Sequence, residues 1–150
     1  MQEIERKFTV NIQKWNELEK PEPIEIAQSY LSINPDCTVR VRIKGKKGFL
    51  TIKGKTIGIS RSEFEYEIPL EEAQQMIETL STKTLSKFRY EIQIDNHLWE
   101  VDVFHGKLDG LIIAEIELSN ENELFTKPEW VIEDVSDNIE YYNSRLIERC

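Results

Sequence analysis

The segment EIERKFTV, Glu3 to Val10, sets Glu3, Glu5 and Lys7 at every second position, with Ile4, Phe8 and Val10 among the residues between. Side chains of an extended chain alternate between two faces, so this spacing puts two carboxylates and an ammonium on one side of a β-strand and mainly apolar groups on the other. The same alternation returns in TVRVRIK (Thr38 to Lys44), LTIK (Leu50 to Lys53), SEFEYEI (Ser62 to Ile68), WEVDVF (Trp99 to Phe104) and AEIEL (Ala114 to Leu118). Turn-forming residues separate the runs: Gly45 to Gly48 in GKKG, Gly54 and Gly58, Asp95-Asn96, and Gly106 with Asp109-Gly110. Short turns of this kind join antiparallel neighbours, so a mostly β, α+β fold is expected.

Helical spacing is confined to three places. Ile12, Trp15 and Leu18 precede Pro21; Leu70, Ala73, Met76 or Ile77, and Leu80 follow Pro69; and Ile139, Tyr142 and Leu146 follow a cap at Asp137. These helices are expected at the periphery of the sheet. The chain of 150 residues has no internal repeat or linker and is the size of one ordinary domain, so residues 1–150 are read as a single unit.

A net charge of -9 argues against a nucleic-acid or membrane binder, because both need a basic face. Cys37 and Cys150 are the only cysteines, and no apolar run is long enough for a signal peptide or a membrane span. A reduced, cytoplasmic protein is expected, as a monomer or a homodimer. His97 and His105 are too few, with two cysteines, for a zinc cage, so a metal here would be a hard ion held by carboxylate oxygens.

Strand by strand, the charged alternates are Glu3, Glu5, Lys7; Arg40, Arg42, Lys44; Lys53 beside Thr51; Arg61, Glu63, Glu65, Glu67; Lys87, Arg89, Glu91; Glu100, Asp102; and Glu115, Glu117. On one face, side chains two apart are separated by about 6.6 to 6.8 Å. Like charges at that distance repel by about 2 kcal/mol at an effective dielectric near 20. Two arrangements accommodate them. An open sheet leaves the charged face in water, which screens it. A closed barrel instead turns the face inward, where opposite charge from other strands or from ligands must compensate. The apolar face, with Val39, Val41, Ile43, Phe64, Tyr66, Ile68, Trp99, Val101 and Val103, needs cover that few helices can give, and about eight charged strands are the number that closes around a small ligand. In such a tunnel, grouped carboxylates suit Mg²⁺ or Mn²⁺, and Lys or Arg suits phosphate oxygens.

These residues, taken in order, resemble the CYTH superfamily, also called triphosphate tunnel metalloenzymes, and in particular its small single-domain bacterial members. The resemblance is carried by the ExExK of Glu3, Glu5 and Lys7, then VRVRIK, LTIKG, SRSEFEYEIP, KFRY, WEVDVFHG and AEIEL, which together span nearly the whole chain. It implies a closed eight-stranded antiparallel β-barrel forming a charged tunnel. It also implies metal-dependent cleavage of a triphosphate, foremost inorganic tripolyphosphate to pyrophosphate and phosphate. The alternatives that it leaves are a class IV adenylate cyclase, a nucleoside or thiamine triphosphatase, and a non-catalytic polyphosphate-binding module. Carried over residue by residue, it implies metal ligands among Glu3, Glu5, Asp102, Glu115 and Glu117. The phosphate cradle would be Lys7, Arg40, Arg42, Lys53, Arg61, Lys87 and Arg89, with Lys44, Thr51, Glu63 and Glu65 also lining the tunnel. Tyr30, in QSYL, is placed near one mouth, with Ser29 where the family has glycine. Lys87 is the expected general base or water-orienting group, since nearby cations such as Arg89 disfavour its charged form. Ile139 and Glu140 stand where basic residues are expected before YYN, which weakens a basic contribution from the C-terminal helix.

Other motifs carry less. GKT, Gly54 to Thr56, is not a P-loop, because Phe49 occupies the position of the first glycine. His105 reads as a surface or packing residue between a strand and a turn, Cys37 lacks a His/Asn partner set, and Trp15, Trp99 and Trp130 read as packing residues.

Overall fold

The computed structural model describes residues 2–150. The strands are β1 (Gln2–Val10), β2 (Ile24–Asn34), β3 (Cys37–Lys44), β4 (Lys47–Gly54), β5 (Ser60–Ile68), β6 (Leu85–Ile94), β7 (His97–Phe104), β8 (Ile112–Glu117) and β9 (Val131–Asp134); the helices are α1 (Ile12–Glu17), α2 (Leu70–Leu80) and α3 (Asn143–Leu146). The sheet runs β5-β4-β3-β2-β6-β7-β8-β1-β9. A further antiparallel pairing, Gln2 with Ser62, Glu3 with Arg61 and Ile4 with Ser60, joins β1 to β5 and closes eight of the strands into a ring. β1 therefore serves three neighbours in turn, pairing with β5 at its start, with β8 from Glu5 to Thr9 and with β9 around Phe8 and Val10. Residues with positive φ make the tight turns: Gly45 (φ 61°) between β3 and β4, and Asp95 (φ 53°) between β6 and β7.

Alternation predicts most of these strands, but β2 and β9 lack it. The inward positions of β2 carry Ile26, Gln28 and Tyr30 rather than charges, and β9 spans only four residues. α1 begins where Asn11 accepts a hydrogen bond from the Lys14 amide, and it buries Trp15. α2 follows Pro69 and lies so close to the barrel that a Cβ at Gly48 would sit 2.7 Å from that of Ala73. The third expected helix is broken: a 3-10 turn (Ile139–Tyr141), the single turn of α3 and another 3-10 turn (Ile147–Arg149), with Asn138 rather than Asp137 capping the first.

Two apolar clusters hold the ring. The outer one sits on β1, β7 and β8 beneath α1 and the segment leading to β9. There Phe8 lies 5.5 Å from Trp99, Trp99 5.8 Å from Trp130, and Trp130 5.4 Å from Trp15. The inner cluster is Leu85, Phe104, Leu108, Ile113, Leu146 and Ile147. Leu85, Phe104 and Ile113 occupy the charged, inward phase of β6, β7 and β8, all at one end, so they and the C-terminal segment plug that end of the barrel. Each strand thus grades from apolar to charged: Leu85, Lys87, Arg89 on β6; Phe104, Asp102, Glu100 on β7; Ile113, Glu115, Glu117 on β8.

Cover over the outer face is uneven. Val41, Trp99 and Val101 are fully buried, yet Phe64 and Tyr66 are 46% and 56% exposed, because α2 packs over β2, β3 and β4 without reaching β5. Ser29 is fully buried, its hydroxyl donating to the Lys83 carbonyl at 2.9 Å, which ties β2 to the segment entering β6. No helix among the described residues is long and apolar enough to cross a membrane.

Burial makes Trp99 and Phe64 a matched comparison. Trp99→Ala is expected to cost about 3–5 kcal/mol in urea unfolding, whereas Phe64→Ala, half in water already, is expected to cost less than about 1 kcal/mol.

Candidate active site

The ring encloses a cavity of about 230 Å³. Seven carboxylates face it: Glu3 and Glu5 from β1, Glu63 and Glu65 from β5, Glu100 from β7, and Glu115 and Glu117 from β8. Seven cations answer them: Lys7, Arg40, Arg42, Lys44, Lys53, Arg61 and Arg89. Tyr30 and Asn143 complete the lining. The basic strand β3 lies four places from β8 around the ring of eight, so the richest basic wall stands opposite an acidic one.

Neighbouring strands pair the charges. Lys7 Nζ donates to Glu115 at 3.0 Å and lies 3.8 Å from Glu5; Lys53 donates to Glu3 at 2.8 Å and lies 3.2 Å from Glu63. Arg42 reaches Glu65 at 3.3 Å, and Arg40 lies 3.7 Å from the same oxygen. Thr51 donates to that oxygen at 2.8 Å and belongs to a small annex of the cavity with Tyr30, Arg40 and Lys53. Arg61 is held more loosely, 3.5 Å from Glu3, and lines both the tunnel and a larger recess of about 620 Å³ outside it. Lys44 pairs at 3.8 Å with Glu91.

Burial and charge then sort the titrations. Burial pushes Glu3 up, but Lys53 and Arg61 outweigh it and hold the carboxyl down at about 2. Glu5 has no such surplus: burial, then the Glu115 charge, pushes it up to about 8. Glu63 rises to about 7 through burial and its contact with Glu3. Arg42 falls to about 10, first through burial and then through Arg40 and Arg89.

Lys87 and Asp102 lie one layer behind the cavity wall, and both are fully buried. Asp102 accepts from Lys87 Nζ at 2.7 Å and from Arg89 Nε and Nη2 at 2.8 and 3.0 Å. The Phe104 ring of the apolar plug lies 5.5 Å from Lys87 Nζ. Burial lowers Lys87 to about 8 despite Asp102, and Arg89 adds to the fall, whereas the sequence reading gave neighbouring cations the leading part. Asn143 accepts from Lys87 Nζ at 3.4 Å while facing the cavity.

The structure thus gathers the sequence-derived lining set around one lumen, with Thr51 in its annex and Lys87 and Asp102 beneath it. Sequence reasoning counted Glu100 among the charged alternates, in the strand phase of Asp102, but gave it no role in the site; it also left out Tyr142, Ser136 and Asn143. The last three come from the irregular C-terminal segment, where no alternation signals them. In that segment Arg145 donates to Glu140 at 3.0 Å. His105 packs edge-on against Phe88 with centroids 4.5 Å apart.

The donor set fits a hard divalent cation. β1 and β8 set Glu5 opposite Glu117 and Lys7 opposite Glu115, with Glu3 two residues from Glu5. Neighbouring carboxylates repel, and after burial the charges of Glu115 and then Glu3 add to the rise of Glu5. Among the described residues no three ligating side chains are already gathered as a metal site; Lys7 and Lys53 hold Glu115 and Glu3, so a cation would compete with these ammonium groups.

The CYTH domain profile matches residues 1–150. The chain is 44% identical over 147 residues to an inorganic triphosphatase of Acetivibrio thermocellus, spanning 97% of this chain and 93% of that protein. It is 33% identical over 150 residues to an inorganic triphosphatase of Nitrosomonas europaea, spanning 97% of each. The crystal structure of the inorganic triphosphatase NE1496 superposes with a TM-score of 0.66 at 28% identity, over 96% of both chains. With the profile matched from end to end and a relative of this identity over nearly its whole length, the chain belongs to the CYTH domain family.

Proposed function

We propose that the protein hydrolyses inorganic tripolyphosphate to pyrophosphate and phosphate inside the tunnel, with Mg²⁺ or Mn²⁺. The observation that carries this is the cavity itself: at about 230 Å³ it is smaller than the roughly 300–1,000 Å³ usual for drug-sized ligands, and its wall is charged almost throughout, with Tyr30 in it and Tyr142 beside it as aromatic groups. Such a space suits a bare phosphate chain better than a nucleoside or thiamine triphosphate. Two relatives that are inorganic triphosphatases support the same reading. The lumen is complete within one chain, and the proposed compartment is the cytoplasm, in keeping with the free thiols of Cys37 and Cys150.

Phosphoryl transfer asks the protein to place and neutralise charge more than to form covalent bonds. Arg40 and Arg42, fixed side by side on β3, would grip phosphate oxygens with guanidinium forks, and Lys53 and Arg89 would flank them. With all seven carboxyls ionised against seven cations, the lining has no surplus positive charge for a polyanion. Glu3, Glu5, Glu115 and Glu117 would hold the divalent cation, and Asp102 would anchor Lys87 and Arg89 from beneath. The bound cation supplies the missing positive charge and Lewis-acid polarisation of phosphate oxygens. Lys87 Nζ, about half of it unprotonated near pH 8, would accept a proton in its neutral form from the attacking water as the terminal P–O bond breaks and pyrophosphate leaves.

Phosphate release from tripolyphosphate, ATP and thiamine triphosphate in parallel, with each metal, tests the reading. Tripolyphosphate is expected to give the highest kcat/KM. Cyclic AMP and pyrophosphate from ATP would mark a cyclase instead, and tight binding of tripolyphosphate without turnover would mark a binding module. Lys87→Met is expected to lower kcat about 10²- to 10⁴-fold; near-full turnover across pH would remove its role.

Glu5 gives an independent test by stability. Its folded pKa of about 8 lies above the ordinary 4.5, so between these values the folded state keeps a proton that the unfolded state loses. Stability from this group is therefore highest below pH 4.5 and falls as pH rises to 8. In chelator, Glu5→Gln should unfold at a higher temperature than wild type, by a margin that widens from pH 5 to pH 8. Added Mn²⁺ should raise the wild-type melting temperature more than that of Glu5→Gln. Equal shifts would take Glu5 out of the metal site.

A further inference from the structure

Every side chain that lines the tunnel cavity comes from a barrel strand except Asn143, which stands at the start of α3. It is also the cavity-lining side chain that hydrogen-bonds Lys87 among the described residues; the other acceptor of that ammonium, Asp102, is sealed behind the wall. The position of Asn143 is set from both sides. Upstream, the Tyr142 hydroxyl donates to the Ser136 carbonyl at 3.3 Å, and the Lys7 and Arg61 cations lie 5.9 and 6.0 Å from the Tyr142 ring centroid. Downstream, Leu146 and Ile147 are 1% and 5% exposed in the apolar plug with Leu85 and Phe104, and Lys83 Nζ donates to the Glu148 carbonyl at 2.7 Å. The C-terminal segment is thus seated against the barrel, and the side chain it sends into the main cavity, Asn143, rests on a buried amine.

The geometry points to Asn143 as a positioning residue for Lys87: its carbonyl oxygen orients the Lys87 amine toward the lumen, so the seated C-terminal segment completes the active site. An ammonium has three donors. Asp102 takes one on the buried side, and with Asp102 alone the Nζ can turn about its last bond. A second acceptor on the lumen side removes that freedom and leaves the remaining position facing the cavity. A carboxylate at this place would add charge against a phosphate, whereas the neutral amide orients the amine without that repulsion. The inference rests on the reading of Lys87 as the base or water-orienting group.

The test is a double-mutant cycle on tripolyphosphate hydrolysis with Asn143→Leu, which keeps the shape and removes the acceptor, alone and combined with Lys87→Met. Asn143→Leu alone is expected to lower kcat about tenfold, the scale of one lost hydrogen bond to a charged group, with KM changed less than about twofold. In the Lys87→Met background it should cost nothing further. Asn143→Gln, which keeps a neutral acceptor, should recover most of the loss; if the apolar side chain of Asn143→Leu disturbs folding, Asn143→Ser, too short to reach Lys87, should show the same roughly tenfold fall in kcat. Equal losses with and without Lys87, a rise in KM at unchanged kcat, or no recovery by Gln would each overturn the positioning role while leaving Lys87 in place. Wild-type turnover by Lys87→Met would instead overturn the base assignment, and the positioning role with it.

Discussion

Three register pairs between β1 and β5 decide what the inner faces of eight strands look at. Without them the sheet is open and its carboxylates and cations lie in water, where each ion pair is worth little. With them the same side chains face one another across a lumen, and every charge is valued against a neighbour and against lost hydration. The pairing of Glu3 with Arg61 belongs to both descriptions, as a rung of the ladder that closes the ring and as a contact of the cavity wall. Closure of the fold and assembly of the site are one event.

The grading of side chains along β6, β7 and β8 explains how one barrel holds groups of opposite titration behaviour. At the plugged end, Leu85, Phe104 and Ile113 exclude water beneath Lys87 and Asp102, and burial there weakens the ammonium. Nearer the lumen, Arg89 gains from the same carboxylate and is raised well above its ordinary value, although burial opposes it. Two cations on one strand, two residues apart, therefore titrate in opposite directions: burial weakens Lys87, whereas the shared carboxylate strengthens Arg89. The cost falls on the acidic side, where Glu5 and Glu117 face each other without a full complement of cations. A site arranged this way is less stable than an apolar interior would be, which is the usual relation between stability and function.

Much of this was legible because charge alternating with apolar residues has a single structural period. Arg40 and Arg42, or Glu115 and Glu117, announce strand, face and neighbourhood together. The reading stopped where the alternation carried no charge. The inward residues of β2 are Ile26, Gln28 and Tyr30, and those at the plugged end are apolar, so neither the strand nor the plug stands out from an ordinary core. Asn143 was invisible for a different reason: its place depends on Leu146 and Ile147 finding an apolar pocket made by residues far away in the chain. Helical spacing over Ile139, Tyr142 and Leu146 was real but too short to sustain a helix against those tertiary contacts. Phe64 and Tyr66 show the converse, apolar strand residues whose expected cover does not extend to them.

The two walls of the tunnel also differ in how they come into being. Arg42 and Phe49, opposite each other on β3 and β4, are joined by a tight local turn, so the basic wall can fold as soon as that hairpin is synthesised. Glu5 meets Glu117 only after the intervening hundred or so residues have been made, and pairings so distant in sequence are slow to form. A growing or partly unfolded chain can therefore form the arginine-bearing β3–β4 hairpin well before it brings Glu5 and Glu117 together.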